Sequence, residues 1–236
     1  MKLCILALGR LGKKVYQLTS EKSFGTYTHE EKKGYDCLRF DINQQDIPHR
    51  FFDATHIFFN LPPSKIESFE NFASLFYKLK DKHWIFISST SVYGQSGELH
   101  EDHIAIPKTE NGKFLKKCEE LILENDRNIV IRPAGLYDET NHPGQYLAGR
   151  ENISGGDQPI NLISRDEVAQ LTLDCVQAGF KGILNAVNTH HPLKESYYQE
   201  YCRRHGLDLP HFISEGEPGK TVITKYEQYK IDTQLP

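Results

Sequence analysis

Hydrophobic residues along the chain fall into short, nearly continuous runs separated by longer stretches of mixed character. Runs such as Ile85-Phe86-Ile87 and Ile129-Val130-Ile131 are apolar at every position, which is typical of strands buried on both faces of a parallel sheet. Seven segments are predicted as strands: Lys2–Leu8, Phe24–Thr28, Asp36–Asp41, Ala54–Asn60, Trp84–Ser88, Asn128–Arg132 and Ile183–Val187.

Between these runs, apolar positions recur three or four residues apart, the spacing that places them on one face of a helix. Strands that alternate with helices imply right-handed crossovers, so the predicted fold class is α/β, a Rossmann-type doubly wound parallel sheet. The segments with helical spacing contain Leu11, Val15 and Leu18; Phe69, Phe72, Phe76 and Leu79; Phe114, Leu115, Cys118, Leu121 and Ile122; Asp166–Ala178; and Leu193–His205.

Two segments depart from this alternation. Asp138–Pro159 is rich in Gly, Asn and Asp, and it predicts a long excursion at the carboxyl edge of the sheet, where ligands of such folds bind. The residues after Val187 are too few for a core of their own, so we expect a small C-terminal substrate cap. The predicted divisions are 1–137 for the Rossmann core, 138–160 for the excursion, 161–190 for the last core helix and strand, and 191–236 for the cap and tail.

Composition narrows the class of protein. The 236 residues are 38% hydrophobic and include 13 Phe and 12 Tyr, which excludes a disordered chain because such chains lack aromatic residues. The net charge is −4 and the chain has no long basic run, so we expect no nucleic-acid partner.

Segment lengths and cysteine spacing suggest the compartment. No stretch approaches the ~18 apolar residues of a membrane span, and the apolar start stops at Gly9 without a cleavage site, so it predicts a strand and not a signal peptide. The five cysteines are odd in number with no C-x-x-C pair, which favours reduced thiols in a cytoplasmic protein. We expect no metal, and we interpret His100-Glu101-Asp102-His103 as a solvated polar turn.

The first predicted strand runs directly into a helix through Ala7-Leu8-Gly9-Arg10-Leu11-Gly12. This is the G-x-G-x-x-G pattern with Ala in the first glycine position. Gly9 would let the backbone approach a pyrophosphate, Gly12 would let the helix pack against the strand, and the helix amino end offers free N–H groups. We therefore predict a phosphate loop with Gly9, Arg10, Leu11 and Gly12 as cofactor-binding residues, the alternative being a glycine turn without a ligand.

Further motifs follow at the ends of the later strands, and with them the chain resembles the extended short-chain dehydrogenase/reductase superfamily, the NAD-dependent epimerase/dehydratase group, in a compact, atypical form. The resemblance covers nearly the whole chain. Its motifs are the Gly9/Gly12 loop, Phe40-Asp41, Asn60-Leu61-Pro62-Pro63, Ile87-Ser88-Ser89-Thr90-Ser91-Val92-Tyr93-Gly94, Arg132-Pro133-Ala134-Gly135-Leu136-Tyr137 and Asn161-Leu162-Ile163-Ser164-Arg165-Asp166-Glu167-Val168.

The resemblance implies roles for single residues. Asp41 would meet the adenine amine, Ser89 stands at the catalytic Ser/Thr position, and Ser88 lies beside it near the nicotinamide. Each could instead be structural, since an Asp after a strand is most often a turn residue. The other implied cofactor contacts are Asn60, Leu61 and Pro62 beside the adenosine ribose and pyrophosphate, and Arg132, Pro133 and Ala134 beside the nicotinamide.

The catalytic Tyr-x-x-x-Lys pair of this family is missing. Its two positions fall on Asn111 and Leu115, which can neither titrate near neutral pH nor bind a ribose hydroxyl. Lys116 lies one residue off, about 100° around the helix. Tyr93 is the nearest phenol in sequence and is the second candidate catalytic residue with Ser89, although its Val-Tyr-Gly setting normally packs beneath the substrate loop.

Two functions therefore stay open at this point. The first is an NAD(P)-dependent oxidoreductase or epimerase/dehydratase-like enzyme on a small polar metabolite or nucleotide sugar. The second is a non-catalytic NAD(P) sensor that uses the same pocket. The resemblance also implies a homodimer through the helices after strands four and five, where Phe69, Phe72 and Phe76 offer an apolar face, unless that face packs on the sheet.

The end of the second strand bears on the choice between NADP and NAD. An acidic residue there would bond to the ribose 2′-OH and repel a 2′-phosphate, but the place is taken by Thr28 or His29. Both side chains can donate to phosphate oxygens. We therefore expect NADP over NAD with Thr28 and His29 as contacts, whereas a shift of one residue would place Glu30 on the ribose and favour NAD.

Overall fold

The computed structural model describes residues 1–44, 46–213 and 218–236. Six α-helices and thirteen short strands are assigned in this part of the chain. The helices are α1 (Arg10–Thr19), α2 (Phe69–Lys78), α3 (Glu110–Ile122), α4 (Pro143–Leu147), α5 (Arg165–Gln177) and α6 (Lys194–Arg204). The strands are β1 (Leu3–Leu6), β2 (Ser23–Tyr27), β3 (Cys37–Arg39), β4 (His56–Phe59), β5 (His83–Ile87), β6 (Gly97–Leu99), β7 (Ile129–Pro133), β8 (Gly135–Tyr137), β9 (Ile153–Ser154), β10 (Leu162–Ser164), β11 (Gly182–Ala186), β12 (Phe212–Ile213) and β13 (Lys220–Val222).

Seven strands form one sheet in the order β11-β7-β5-β4-β1-β2-β3, and every neighbouring pair is parallel. These are the seven strands predicted from the sequence, each with ends within two residues of the prediction. The predicted α/β class and doubly wound sheet are confirmed. The strand order reverses between β1 and β4, so the crevice at this switch point opens at the carboxyl ends of both strands, where such sheets bind ligands.

Both faces of the sheet are covered because its strands are apolar on both sides. All four residues of β1 and all five of β7 are buried. On one face α2 and α3 enclose an aromatic core that includes Phe59 and Trp84. On the other face α1 and α5 pack side by side over a core of aliphatic residues such as Ile5 and Ile131. The helices therefore hold the sheet from both sides and leave its carboxyl edge to the loops.

Helix α2 uses its apolar face for the protein's own core. Phe72 and Phe76 are buried against the sheet, and the Phe69 ring is covered by the Lys117 ammonium at 3.9 Å from its centroid. The aromatic stripe that suggested a homodimer therefore packs on the sheet, which was the alternative, and it gives no support to a dimer. The homodimer stays a prediction.

The remaining short strands and helices build a cap on the carboxyl side. Its small core contains Tyr137, Ile160, Leu162 and Tyr198, and the His142 ring stacks on Tyr201 with ring centroids 3.8 Å apart. The division into four segments stays a prediction. Of the helices in the described ranges, none combines the length and the hydropathy needed to cross a lipid bilayer.

The turn at residues 100–103 differs from the prediction of a solvated polar turn. The Glu101 side chain is buried, and its carboxylate accepts hydrogen bonds from Asn185 N (2.8 Å), Thr224 Oγ1 (2.7 Å) and Lys225 N (3.0 Å). Glu101 thus ties the C-terminal segment to β11, and the prediction was wrong at this residue. In the described ranges, no cluster of three or more His, Cys, Asp or Glu side chains is arranged to hold a metal ion.

Substituting Phe72→Ala will lower the free energy of unfolding by about 3–5 kcal/mol, because it opens a cavity among packed aromatic rings. Urea unfolding measures the loss. Tyr77→Ala on the same helix is the control, since Tyr77 is 53% exposed and its loss will change the free energy of unfolding by only about 0.5 kcal/mol. Equal losses in the two variants would contradict this packing of α2.

Candidate functional site

The turn between β1 and α1 is built by close backbone contacts. A Cβ atom on Gly12 would lie 2.2 Å from the carbonyl oxygen of Ala7, so only glycine fits where the helix meets the strand. The Asn60 side chain crosses from β4 with its amide nitrogen toward the carbonyl oxygens of Leu6 and Ala7, and its oxygen accepts from Gly12 N at 3.2 Å. Asn60 and Gly12, both predicted site residues, therefore fix the shape of this turn.

Ala7 occupies the first glycine position of the motif in a conformation that favours glycine. Its φ is +78°, a left-handed value that costs a residue with a Cβ atom about 1–2 kcal/mol. Two hydrogen bonds to β2 hold the turn: Ala7 N donates to Thr26 Oγ1 (3.0 Å) and Leu8 N to Thr26 O (2.9 Å). The departure from the glycine pattern thus leaves the turn intact.

The amino end of α1 is open to solvent. Gly9 is exposed with an extended backbone at φ −74° and ψ −167°, and a Cβ atom placed on it would contact nothing within 4 Å. Arg10 is exposed next to it, whereas Leu11 is buried against the sheet. Free backbone N–H groups and the helix dipole at such an end attract anionic groups, so this end can receive a pyrophosphate.

A cleft of about 510 Å³ lies beside this turn, at the carboxyl ends of β1, β2, β3 and β4. Its volume falls in the range of small-molecule sites. Five residues predicted from the sequence as cofactor contacts lie together in its wall, although they come from three separate loops. They are Thr28, His29, Asp41, Leu61 and Pro62.

The floor of the cleft is held by Asn43, which sequence reasoning missed. Asp41 Oδ1 accepts from Asn43 N (3.0 Å), and the Asn43 side chain donates to Lys65 O (3.1 Å) and accepts from Glu67 N (3.0 Å). Asn43 therefore ties the loop after β3 to the loop after β4. The only sequence signal was an Asn two residues after an Asp in a turn, which is common to many loops.

The end of β2 has the register expected from the sequence. The strand ends at Tyr27, and Thr28 and His29 are the next two residues. Glu30, the competing candidate for the ribose contact, does not line the cleft and lies 3.5 Å from the Lys32 ammonium in an exposed ion pair. The wall of the cleft near β2 thus carries a hydroxyl and an imidazole.

Behind the carboxyl edge lies a buried polar network centred on Glu119 and Arg132. Arg132 donates from Nε and Nη2 to the two carboxylate oxygens of Glu119, at 2.9 and 2.7 Å. Ser88 Oγ donates to the same carboxylate at 2.5 Å, and Arg132 Nη1 donates to Tyr93 Oη at 2.7 Å. The phenol in turn donates to Asn185 Oδ1 at 3.2 Å, so β5, α3, β7 and β11 meet in one network.

This network decides what three predicted site residues can do. All three residues, Ser88, Tyr93 and Arg132, are buried. Ser88 donates to Glu119, and the Tyr93 phenol accepts from Arg132. Burial raises the pKa of Tyr93, so the phenol stays protonated at neutral pH. These side chains therefore form the frame of the site, which supports the structural alternative for Tyr93.

Ser89 differs from its neighbours because its side chain is partly exposed. Its hydroxyl accepts from Ser91 N at 3.1 Å and caps the short helical turn Thr90–Val92. On the neighbouring strand, Pro133 ends β7 and Ala134 N donates to Ala186 O at 2.9 Å. Of the two predicted catalytic residues, Ser89 is partly exposed and Tyr93 is buried.

The positions of the missing Tyr and Lys lie on α3 as the alignment of motifs implied. Asn111 is exposed in the first turn, and Leu115 is buried in the core beneath the helix. Lys116 lies 3.0 Å from Glu120 in an ion pair along the helix surface. The helix therefore presents no phenol or ammonium group at these two positions.

A different lysine approaches the carboxyl edge of the sheet from the C-terminal cap. Lys220 Nζ on β13 donates to the carbonyl oxygens of Thr90, at 2.7 Å, and Tyr93. Burial lowers the pKa of this lysine. Lys220 thus anchors the turn that carries Ser89. No local sequence pattern indicates this contact, because it spans about 130 residues of the chain.

The sheet order and the crevice at its switch point define a class of fold, the Rossmann-type doubly wound sheet. The predicted resemblance to the extended short-chain dehydrogenases/reductases is confirmed at the level of the fold alone. MoeE5 in complex with UDP-glucose and NAD superposes with a TM-score of 0.79 at 16% identity, over 100% of this chain and 95% of that chain. UDP-N-acetylglucosamine 4-epimerase from Bacillus cereus superposes with a TM-score of 0.72 at 12% identity, over 97% and 91%.

Sequence comparison adds one named relative. Protein YeeZ of Escherichia coli (strain K12) is 32% identical over 143 residues, which is 59% of this chain and 52% of YeeZ. The match thus spans about half the length of that protein. No family model matches the chain.

Substituting Gly12→Ala will lower the free energy of unfolding by about 1–3 kcal/mol, because the new methyl group meets the Ala7 carbonyl and forces the backbone apart. Gly9→Ala is the matched control in the same loop; the open space around Gly9 predicts a change of about 0.5 kcal/mol or less. Urea unfolding of both variants checks this, and an undisturbed Gly12→Ala variant would contradict the close contact.

Substituting Arg132→Met alone will lower the free energy of unfolding by about 3–5 kcal/mol, because it leaves the Glu119 carboxylate buried without its partner. The double variant Arg132→Met with Glu119→Leu will lose less than the single variant, since no buried charge remains. Chemical unfolding of the single and double variants gives the coupling. Losses that simply add would show that the two side chains do not act as a pair.

Proposed function

We propose that this protein binds NAD(P) across the carboxyl edge of its sheet. The observation that carries the proposal is the cleft beside the α1 amino end, where five independently predicted residues come together. The adenosine half would lie in this cleft, and the pyrophosphate would lie over Gly9–Gly12. The fold, shared with MoeE5 whose structure contains NAD, supports the same assignment.

The residues present fit such a group. The amides of Arg10 and Leu11 lie at the open helix end, Asp41 stands in the wall for the adenine, and Asn60 fixes the turn between them. The nicotinamide end would lie toward Ser89 and Ala134, with Pro133 behind. When bound, the nicotinamide supplies hydride chemistry.

We further propose a preference for NADP. His29 and Thr28 offer donors at the end of β2, and Glu30 stands outside the cleft in its pair with Lys32. A 2′-phosphate in this place would accept hydrogen bonds from these side chains. An acidic side chain in this place would repel it.

The leading activity is an oxidoreductase or epimerase/dehydratase-like reaction on a small polar metabolite or nucleotide sugar. Ser89, the accessible hydroxyl at the edge, is the proposed catalytic residue, and Lys220 holds its turn. The UDP-glucose in the MoeE5 structure supports the substrate class. All five cysteines are unpaired, which fits a reducing compartment such as the cytoplasm.

The second candidate is a non-catalytic NAD(P) sensor. It is favoured by Asn111 and Leu115, because neither can move a proton in place of the missing Tyr and Lys. Chromatography of nucleotide sugars incubated with the protein and NADP(H), together with NADPH absorbance, separates the two functions, because an epimerase or dehydratase changes the sugar while returning its cofactor unchanged. Turnover that Ser89→Ala abolishes supports the enzyme, whereas tight NADPH binding with no turnover on any nucleotide sugar supports the sensor.

Fluorescence titration will show tighter binding of NADPH than of NADH, and His29→Asp will reverse the order by placing a carboxylate at the 2′ position. His103→Asp is the control, because His103 is exposed and does not line the cleft, and it will keep the original order. Tighter NADH binding by the unmodified protein would overturn the NADP preference, and binding of neither dinucleotide would overturn the proposed function.

A further inference from the structure

A second cavity opens at the opposite edge of the sheet, where β4 and β5 begin. It has a volume of about 120 Å³ and lies between these strand starts and the turn from α5 to β11. Because all seven strands are parallel, this edge is remote from the proposed dinucleotide site. Its basic lining residues are His56, His83, Arg127 and Lys181.

Two of these basic side chains are held face to face. His56 and His83 are direct partners across β4 and β5, and their rings stack with centroids 5.0 Å apart and planes inclined by 18°. His56 Nδ1 is 2.8 Å from Thr55 Oγ1. The strand register therefore places two imidazoles side by side at the cavity.

The charges around this cavity are unbalanced. None of the described residues that line it is acidic. Burial and the nearby His83 lower the pKa of His56 to about 4, and burial with the charges of Arg127 and Lys181 lowers the pKa of His83. Each basic side chain thus disfavours protonation of its neighbours. A bound anion would offset this repulsion.

Arg127 gives an independent observation. Its Nη2 donates to the Lys80 carbonyl at 3.1 Å, but its Nε is buried and has no hydrogen-bond partner. A buried donor without an acceptor costs about 1–3 kcal/mol. The Nε atom itself is closed to solvent, so an anion in the cavity would act on the guanidinium by charge attraction.

From these observations we propose that the cavity binds a tetrahedral oxyanion, phosphate or sulfate, between the His56–His83 pair and the Arg127 guanidinium. The volume suits this size, since drug-sized ligands occupy pockets of about 300–1,000 Å³. A free anion and the phosphoryl group of a small metabolite share this chemistry. The site is independent of the proposed dinucleotide binding.

The test follows the imidazole signals of the full chain by NMR as inorganic phosphate is added at several pH values. A bound anion favours protonated imidazoles, so the pKa values of His56 and His83 will rise by about one unit or more. His103 is the internal control because it does not line the cavity. Sodium chloride at matched ionic strength separates specific binding from screening.

The variant Arg127→Gln removes the guanidinium, and it will weaken phosphate binding by about tenfold or more. Arg203→Gln is the matched control, because Arg203 is exposed on α6 and does not line the cavity, and it will leave the affinity unchanged. Glycerol phosphate in place of phosphate distinguishes a phosphoryl group from the free anion. The proposal fails if phosphate shifts the imidazole signals of His56, His83 and His103 no more than chloride does. In that case the basic side chains would only pack against the neighbouring helix ends and strand starts.

Discussion

The pairing of Glu119 with Arg132 is the interaction on which the carboxyl edge of this protein depends. Each charge is fully buried, and taking either from water would cost several kcal/mol without the other. The bidentate geometry and the added bonds from Ser88 and Tyr93 satisfy the remaining donors and acceptors. The pair therefore fixes α3 against β5 and β7 and sets where the segment after β5 lies.

The carboxyl edge of the sheet has two parts, an open cleft and a segment that hydrogen bonds hold in place. The cleft between the loops after β2, β3 and β4 is open and lined by both apolar and polar side chains, among them Leu61, Thr28 and Asp41. The segment from Ser89 to Tyr93 is anchored from below by Arg132 and from the cap by Lys220. Hydrogen bonds thus hold this segment from two sides, and the partly exposed Ser89 lies at its start.

The sheet itself was predictable because strands buried on both faces must be apolar throughout, and that pattern is local. The glycine turn was predictable for a similar reason, since Gly12 must lack a Cβ atom where helix and strand touch. Several of the motif residues also lie on the loops that form the cleft. The motifs could not tell that Ser88, Tyr93 and Arg132 face inward, because that depends on Glu119, more than twenty residues from Ser88.

By itself, then, the sequence determined the α/β class, the seven strands and the loops at the proposed dinucleotide site, since each follows from hydrophobic spacing or from residues close in the chain. Only the tertiary structure decided the rest. Lys220, Glu101 and the pair of His56 with His83 gain their settings from strands and turns distant in sequence. Their burial and charge depend on which neighbours the fold brings near, and the spacing of residues along the chain does not indicate which neighbours these are.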